Sequence, residues 1–262
     1  KLKRILRRPL LSLFYRLFCS ACLPIGTRNR DFYRHHRVTD KQMFLVPYTV
    51  DNDFFITAIA EESKTADEWR QRYGLTTSLP VILYASKLSS RKHPMLLLKA
   101  YRKLREQDAL AQLVYVGTGP EEANLKDYVR RYDVPDVFFF GFRNQTELPR
   151  FYALADVFLL PSVDEPWGLV INEAMCGGLP IVASDVVGAS ADLVRHGENG
   201  FVFAAGDADA LSDALVRLVQ NDDMRRRMGK RSLEIIREWS YDRDVEGIRQ
   251  AMYYLRKRQA GT

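Results

Sequence analysis

Between residues 80 and 203, short apolar runs alternate with segments in which apolar residues recur every three or four positions. The runs are 81–85 (VILYA), 112–116 (QLVYV), 136–140 (DVFFF), 156–160 (DVFLL), 180–183 (PIVA) and 201–203 (FVF). They are continuously apolar rather than alternating, as strands covered on both faces must be. Helical periodicity predicts helices at 94–106, 120–132, 146–154 and 169–176, and a shorter one at 66–73 stopped by Gly74. This rhythm predicts an α/β fold: a doubly wound parallel sheet, Rossmann-like, with helices on both faces. Past residue 206 the pattern is purely helical, at 207–220, 222–237 and 241–257.

The first 46 residues differ. Residues 1–20 interleave Lys and Arg with Leu, Ile and Phe at helical spacing, with Pro9 interrupting, and 27–38 form a second basic helical stretch. A short strand is expected at Met43–Val46, then an irregular segment, Pro47 to Asp53, rich in turn residues. Residues 1–46 hold eleven Lys or Arg against two Asp, a charge of +9, so the formal +6 of the whole leaves −3 for the rest. The basicity is thus N-terminal. It alternates with apolar residues as in a membrane-surface helix, and no recognition-helix or RNA-binding motif accompanies it, so nucleic acid is not expected as a partner.

At 262 residues and 47% apolar, the chain has room for one large domain, or one domain with part of another. It begins with Lys1, which suggests upstream sequence. No apolar run is long enough to cross a bilayer and no signal peptide is visible. Cys19 and Cys22 have C-x-x-C spacing, but with Cys176 they make neither a disulfide framework nor a zinc site, and the plain expectation is a reducing, cytoplasmic setting.

Parallel sheets bind ligands beyond the carboxyl ends of their strands. After 81–85 comes Ser86-Lys87-Leu88-Ser89-Ser90-Arg91-Lys92-His93-Pro94, a basic loop ahead of a helix and hence an anion-site candidate. A solvated basic loop reads equally well on composition. Gly117-Thr118-Gly119-Pro120 follows the second strand and allows close backbone approach, without being a dinucleotide fingerprint. The most specific loop is the third, in which Glu165-Pro166-Trp167-Gly168-Leu169-Val170 enters a helix and Glu173 follows a turn later. The amides of Gly168, Leu169 and Val170 lack intrahelical partners and favour an anion. Asp207/Asp209 and Asp242/Asp244 have D-x-D spacing but fall at helix starts, where capping explains them, and Asp51/Asp53 reads as turn chemistry. No metal site is expected.

Glu165 and Glu173, eight apart in E-P-W-G-L-V-I-N-E, resemble the E-x7-E signature of the fourth family of retaining glycosyltransferases, which have the GT-B fold. The likeness continues through Ala174, Met175, Gly177, Gly178, Pro180, Ile181, Val182 and Ala183, then Gly197, Asn199, Gly200 and Phe201, and covers Val46 to Asp51. It implies that Lys87 and Lys92 hold the donor diphosphate, although the family has Arg at the first of these and Gly where this chain has Ser86. Glu173 would accept from the ribose hydroxyls and Glu165 would face the donor sugar. Gly168, Leu169 and Val170 would offer amides, Trp167 would tune sugar choice, Phe142 and Arg143 would border the nucleobase, and Gly117 would admit the donor.

The resemblance further implies a remnant of an acceptor-binding domain at 1–46, a linker at 47–65, the donor domain at 66–240 and a terminal helix at 241–262 that crosses back to the first domain. The expected function is transfer of a sugar from a UDP- or GDP-sugar, with no cofactor, to a glycan or lipid-linked acceptor. The expected setting is cytoplasmic, with the basic segment either at the inner face of the membrane or packed on the rest of the acceptor-binding domain. As it stands the chain is expected to bind donor without transferring sugar. The alternatives are a GT-B epimerase or phosphorylase, or a non-catalytic nucleotide-sugar-binding module.

Overall fold

A computed structural model of the chain describes residues 2–260, with side chains from residue 8 onward. Helices α1 (Leu2–Phe18) and α2 (Thr27–His35) precede α3 (Asn52–Ser63) and α4 (Ala66–Arg72). Then follow β1 (Val81–Ala85), α5 (Pro94–Glu106), β2 (Gln112–Val116), α6 (Glu122–Tyr132), β3 (Val137–Phe139), α7 (Leu148–Leu154) and β4 (Val157–Leu160). After these come α8 (Leu169–Cys176), β5 (Ile181–Ser184), α9 (Ser190–Leu193), β6 (Gly200–Phe203), α10 (Ala208–Val219), α11 (Asp222–Arg237) and α12 (Tyr241–Ala260). Two compact units result: Asp51–Arg237, and a smaller one from the stretches up to Val50 and from Glu238 on.

The larger unit is a six-stranded sheet in the order β3-β2-β1-β4-β5-β6, parallel throughout. The strands β1, β2, β4 and β5 are buried along their whole length, as their unbroken apolar runs require. Side chains alternate between the faces. Ile82 and Tyr84 of β1 join Val157 and Leu159 of β4 in a core shared with Leu97, Tyr101 and Leu104 of α5 and Leu211, Leu215 and Leu218 of α10. Phe158, of the opposite parity, meets Tyr152 of α7 on the other face. Strand order reverses between β1 and β4, so a crevice opens beyond their carboxyl ends.

In the smaller unit, Cys22, Val38 and Met43 form a buried cluster with Tyr15, Cys19 and Tyr33 against it. The terminal helix α12 lies against the 44–49 segment, where Thr49 donates to Asp244 at 3.0 Å, Trp239 Nε1 donates to the Tyr48 carbonyl at 3.2 Å and Phe44 meets Tyr254. All three cysteines are free. No helix among the described residues is long and apolar enough to cross a membrane.

Three local expectations need correction. The Met43–Val46 segment is no strand of the sheet. It pairs with 22–25 instead: Phe44 N–H donates to the Cys22 carbonyl and Val46 N–H to that of Pro24, each at 3.0 Å. Pro9 lies inside α1 without ending it. A proline removes one helical hydrogen bond, which a long helix survives. And the irregular segment expected at Pro47 to Asp53 is shorter, because α3 begins at Asn52. The Asp51 carboxylate caps that helix, accepting from Phe54 N–H at 2.9 Å, and Phe55 and Ile59 are buried. Asp at a turn and Asp at a helix start are the same chemistry.

Candidate functional site

Four loops meet at the crevice: 86–93 after β1, 117–121 after β2, 161–168 after β4 and 185–189 after β5. Their backbones interlock. Leu88 N–H donates to the Thr118 carbonyl, Glu121 N–H to that of Leu88, Val163 N–H to that of Arg91, and Gly188 N–H to that of Glu165. Two glycines permit this closeness. A Cβ on Gly117 would stand 2.1 Å from the Ser86 carbonyl oxygen, and one on Gly188 only 1.9 Å from that of Pro166. Tyr84, buried in β1, donates to the Lys87 carbonyl at 3.0 Å and so pins the turn that presents Lys87.

Lys92 closes a 3-10 turn, Ser90–Lys92, and its Nζ contacts Glu165 Oε2 from the facing loop. The pair is largely sheltered, with side chains 15% and 9% exposed. Burial first, then the Arg91 charge, lower the Lys92 ammonium to about 8, while Asp164 acts the other way. The Glu165 carboxylate in contact also favours the ammonium. Arg91 and Asp164 stand 3.7 Å apart outside them.

Glu165 leads into α8, whose cap is Gly168 in the left-handed region at φ 97° and ψ 62°. No side chain caps this end, and the first-turn amides of Leu169 and Val170 have no helical carbonyl a turn before them. Val170 lines a cleft of about 320 Å³ with Lys87, Gly117, Phe142, Arg143 and Leu148. Phe142 is exposed at the rim. Glu173 stands one turn into α8 and accepts from the Tyr152 hydroxyl at 2.7 Å. Burial pushes its carboxyl up to about 6, against the lowering effect of that hydrogen bond.

The structure thus brings together Lys87, Gly117, Val170, Phe142 and Arg143 in one cleft, and joins Lys92 to Glu165 beside the start of α8. Trp167 is placed differently. It is 3% exposed, its indole N–H donates to Asn172 at 3.0 Å, and it is not among the residues lining the cleft. The sequence reading missed Gly188, which seats the Glu165 loop, and Tyr152, which holds Glu173. A glycine shortly after a strand was a usable signal for the first. Nothing local marks Tyr152.

Asp207 accepts from the N–H groups of Asp209 and Ala210, which is capping geometry. Among the described residues no three His, Cys, Asp or Glu side chains are grouped so as to hold a metal ion.

Residues 65–234 match the profile of the family described as glycosyl transferases group 1. The N-acetyl-alpha-D-glucosaminyl L-malate synthase of Bacillus anthracis is 28% identical over 187 residues, 71% of this chain and 48% of that protein. A Mycobacterium tuberculosis GDP-mannose-dependent alpha-(1-6)-phosphatidylinositol monomannoside mannosyltransferase is 32% identical over 206 residues, 75% of this chain and 52% of its own length. The chain therefore spans about half the length of these curated relatives. Among solved structures, HepE of Anabaena in complex with UDP superposes with a TM-score of 0.74 at 21% identity, covering 95% of this chain and 66% of HepE. A glycosyltransferase from Rickettsia africae gives 0.80 at 14% identity, over 94% and 67%. Such structural neighbours share the GT-B fold, and the α/β class read from the sequence agrees with them.

Proposed function

The chain belongs to the group 1 glycosyl transferases, and from that premise we propose that it is the donor half of a retaining enzyme. That enzyme moves a sugar from a nucleoside diphosphate to a glycan or lipid-linked acceptor. The observation that carries this reading is the largely sheltered Lys92–Glu165 pair beside the uncapped start of α8, in the crevice where strand order reverses.

Breaking the bond between the anomeric carbon and phosphate leaves the electron pair on the diphosphate and positive charge on the sugar. Lys92 exchanges Glu165 for a diphosphate oxygen, Lys87 approaches from the cleft, and the Leu169 and Val170 amides add their dipoles. Groups fixed in advance in a sheltered site stabilise such developing charge strongly, without a metal ion. Glu165, released from Lys92, turns to the sugar hydroxyls. Glu173 accepts from the ribose and Phe142 borders the base. The acceptor oxygen enters on the face from which the phosphate departs, and its proton passes to the leaving oxygen, so configuration is retained. A uridine or guanosine donor is supported by the UDP in HepE and the GDP-mannose of the mycobacterial relative's name.

The acceptor domain is represented here by residues 1–46 at most, and an acceptor hydroxyl held in place is worth about 7–11 kcal/mol. These 262 residues therefore bind donor and transfer nothing by themselves. We place the whole enzyme on the cytoplasmic side, touching the membrane through α1. The support is an exposed apolar stripe, Leu10, Leu13, Phe14 and Leu17, on a basic segment.

A thermal-shift panel tests the donor reading. UDP or GDP and their sugars should stabilise the protein, by about 2.7 kcal/mol at a hundred times Kd, with little shift from the nucleosides. No shift with any nucleotide sinks the reading. Acceptor-dependent transfer at an ordinary enzyme rate by these residues alone contradicts the division of labour.

A further inference from the structure

Tyr152 belongs to α7 and reaches Glu173 of α8. It is 1% exposed, and its ring packs against Phe158 and Phe55. The other buried tyrosine hydroxyls of this core, those of Tyr84, Tyr101 and Tyr115, donate to backbone carbonyls. Tyr152 instead gives its proton to Glu173 Oε2 at 2.7 Å.

We propose that Tyr152 is a positioning residue which holds Glu173 as a two-fold acceptor for the ribose diol, and thereby sets a preference for ribonucleotides over deoxyribonucleotides. The proposal rests on the donor-site reading above. An ionised carboxylate has about four acceptor positions and no proton to donate. The phenol occupies one of them, fixes the carboxylate plane, and leaves Oε1 and a lone pair of Oε2 for two neighbouring hydroxyls. Ordering a long side chain at the moment of binding carries an entropic cost, which this prior hydrogen bond removes.

The hydroxyl also bears on charge. Burial favours the neutral acid of Glu173, in which one oxygen turns donor and the match to a diol is lost; the Tyr152 hydrogen bond favours the carboxylate. A further titratable group near Glu173 is the Cys176 thiol, pushed up to about 12 by burial, then by Glu173, Asp51 and Asp53, and so neutral.

Tyr152→Phe keeps the packed ring and deletes the donor. Calorimetric titration with UDP and GDP, and with their 2′-deoxy analogues, at pH 7.5 and pH 6, reads the effect, with Glu173→Ala measured beside it. Tyr152→Phe should weaken ribonucleotide binding about three- to tenfold at pH 7.5, the size of one net hydrogen bond. The loss should grow at pH 6, while binding of the 2′-deoxynucleotides, which keep one of the two hydroxyls, should weaken less.

Equal losses for ribo- and deoxynucleotides would make Tyr152 merely structural and overturn the proposal, as would an unchanged preference. If Glu173→Ala still weakens binding in either case, the donor-site reading survives. If Glu173→Ala binds like wild type, the donor-site reading falls and takes the proposal with it. Should Tyr152→Phe not fold, Glu173→Asp withdraws the carboxylate by one methylene and must shrink the same preference; an unshrunken preference overturns the proposal.

Discussion

Lys92→Ala should lower affinity for a nucleoside diphosphate about a hundredfold, the upper range for a hydrogen bond to a charged group, and leave affinity for the bare nucleoside within about twofold. Two effects add. The diphosphate loses the cation nearest the start of α8, and Glu165 remains, 9% exposed and without its partner, to repel it. Removing one member of this largely sheltered pair also costs stability, up to about 3–5 kcal/mol. The double variant Lys92→Ala with Glu165→Ala separates the two. It should regain much of the stability in a urea titration, but only the part of the diphosphate affinity that Glu165 repulsion had removed. Equal losses for nucleoside and nucleoside diphosphate would make Lys92 a structural residue only.

Gly188→Ala should be strongly damaging to the larger unit. Its Cβ would lie 1.9 Å from the Pro166 carbonyl oxygen, 2.7 Å from the carbonyl carbon and 2.9 Å from the Trp167 Cα. All three are backbone, so no side chain can swing aside. The 165–168 segment must move, and it is tied to the 185–189 loop by the Gly188-to-Glu165 and Ala189-to-Trp167 bonds, at 2.9 and 3.0 Å. Overpacking of this kind costs about 3 kcal/mol or more. Because the displaced segment carries both Glu165 and the Gly168 cap, nucleotide affinity should fall beyond what stability alone explains. Chemical denaturation and nucleotide titration on the same preparation check this. Wild-type behaviour in both would mean that the loop is not seated by Gly188.

How legible the molecule was depended on whether a signal was local. The spans 81–85 and 112–116 are strands end to end because a continuous apolar run needs cover on both faces. Helices 94–106 and 169–176 also fall where read, since Pro94 opens one and glycines flank the other. Helix α3 was hidden because its cap, Asp51, sits among residues that suit a turn equally well. The extended stretch at 43–46 was visible, but its partner at 22–25 was not, for pairing is a long-range choice.

The site divides in the same way. Lys87, Lys92, Glu165 and Glu173 stood out as chemistry in loops at strand ends. That Lys92 and Glu165, 73 positions apart, would meet as a largely sheltered pair is a property of the β1–β4 crossover. The resemblance alone gave Trp167 a part in sugar choice. Its indole turns inward to Asn172 and anchors the loop instead. Tyr152 carries no local mark, because its role exists only through Glu173.

The central claim is that the crevice at β1 and β4 holds a nucleoside diphosphate. A crystal structure of the protein with UDP or GDP bound tests it most directly. The account predicts diphosphate oxygens on Lys92 Nζ and on the Leu169 and Val170 amides, with the ribose hydroxyls on Glu173 and the Lys92–Glu165 contact opened. A nucleotide bound elsewhere, or one in the crevice with the Lys92–Glu165 pair still closed and Glu173 untouched, would contradict it.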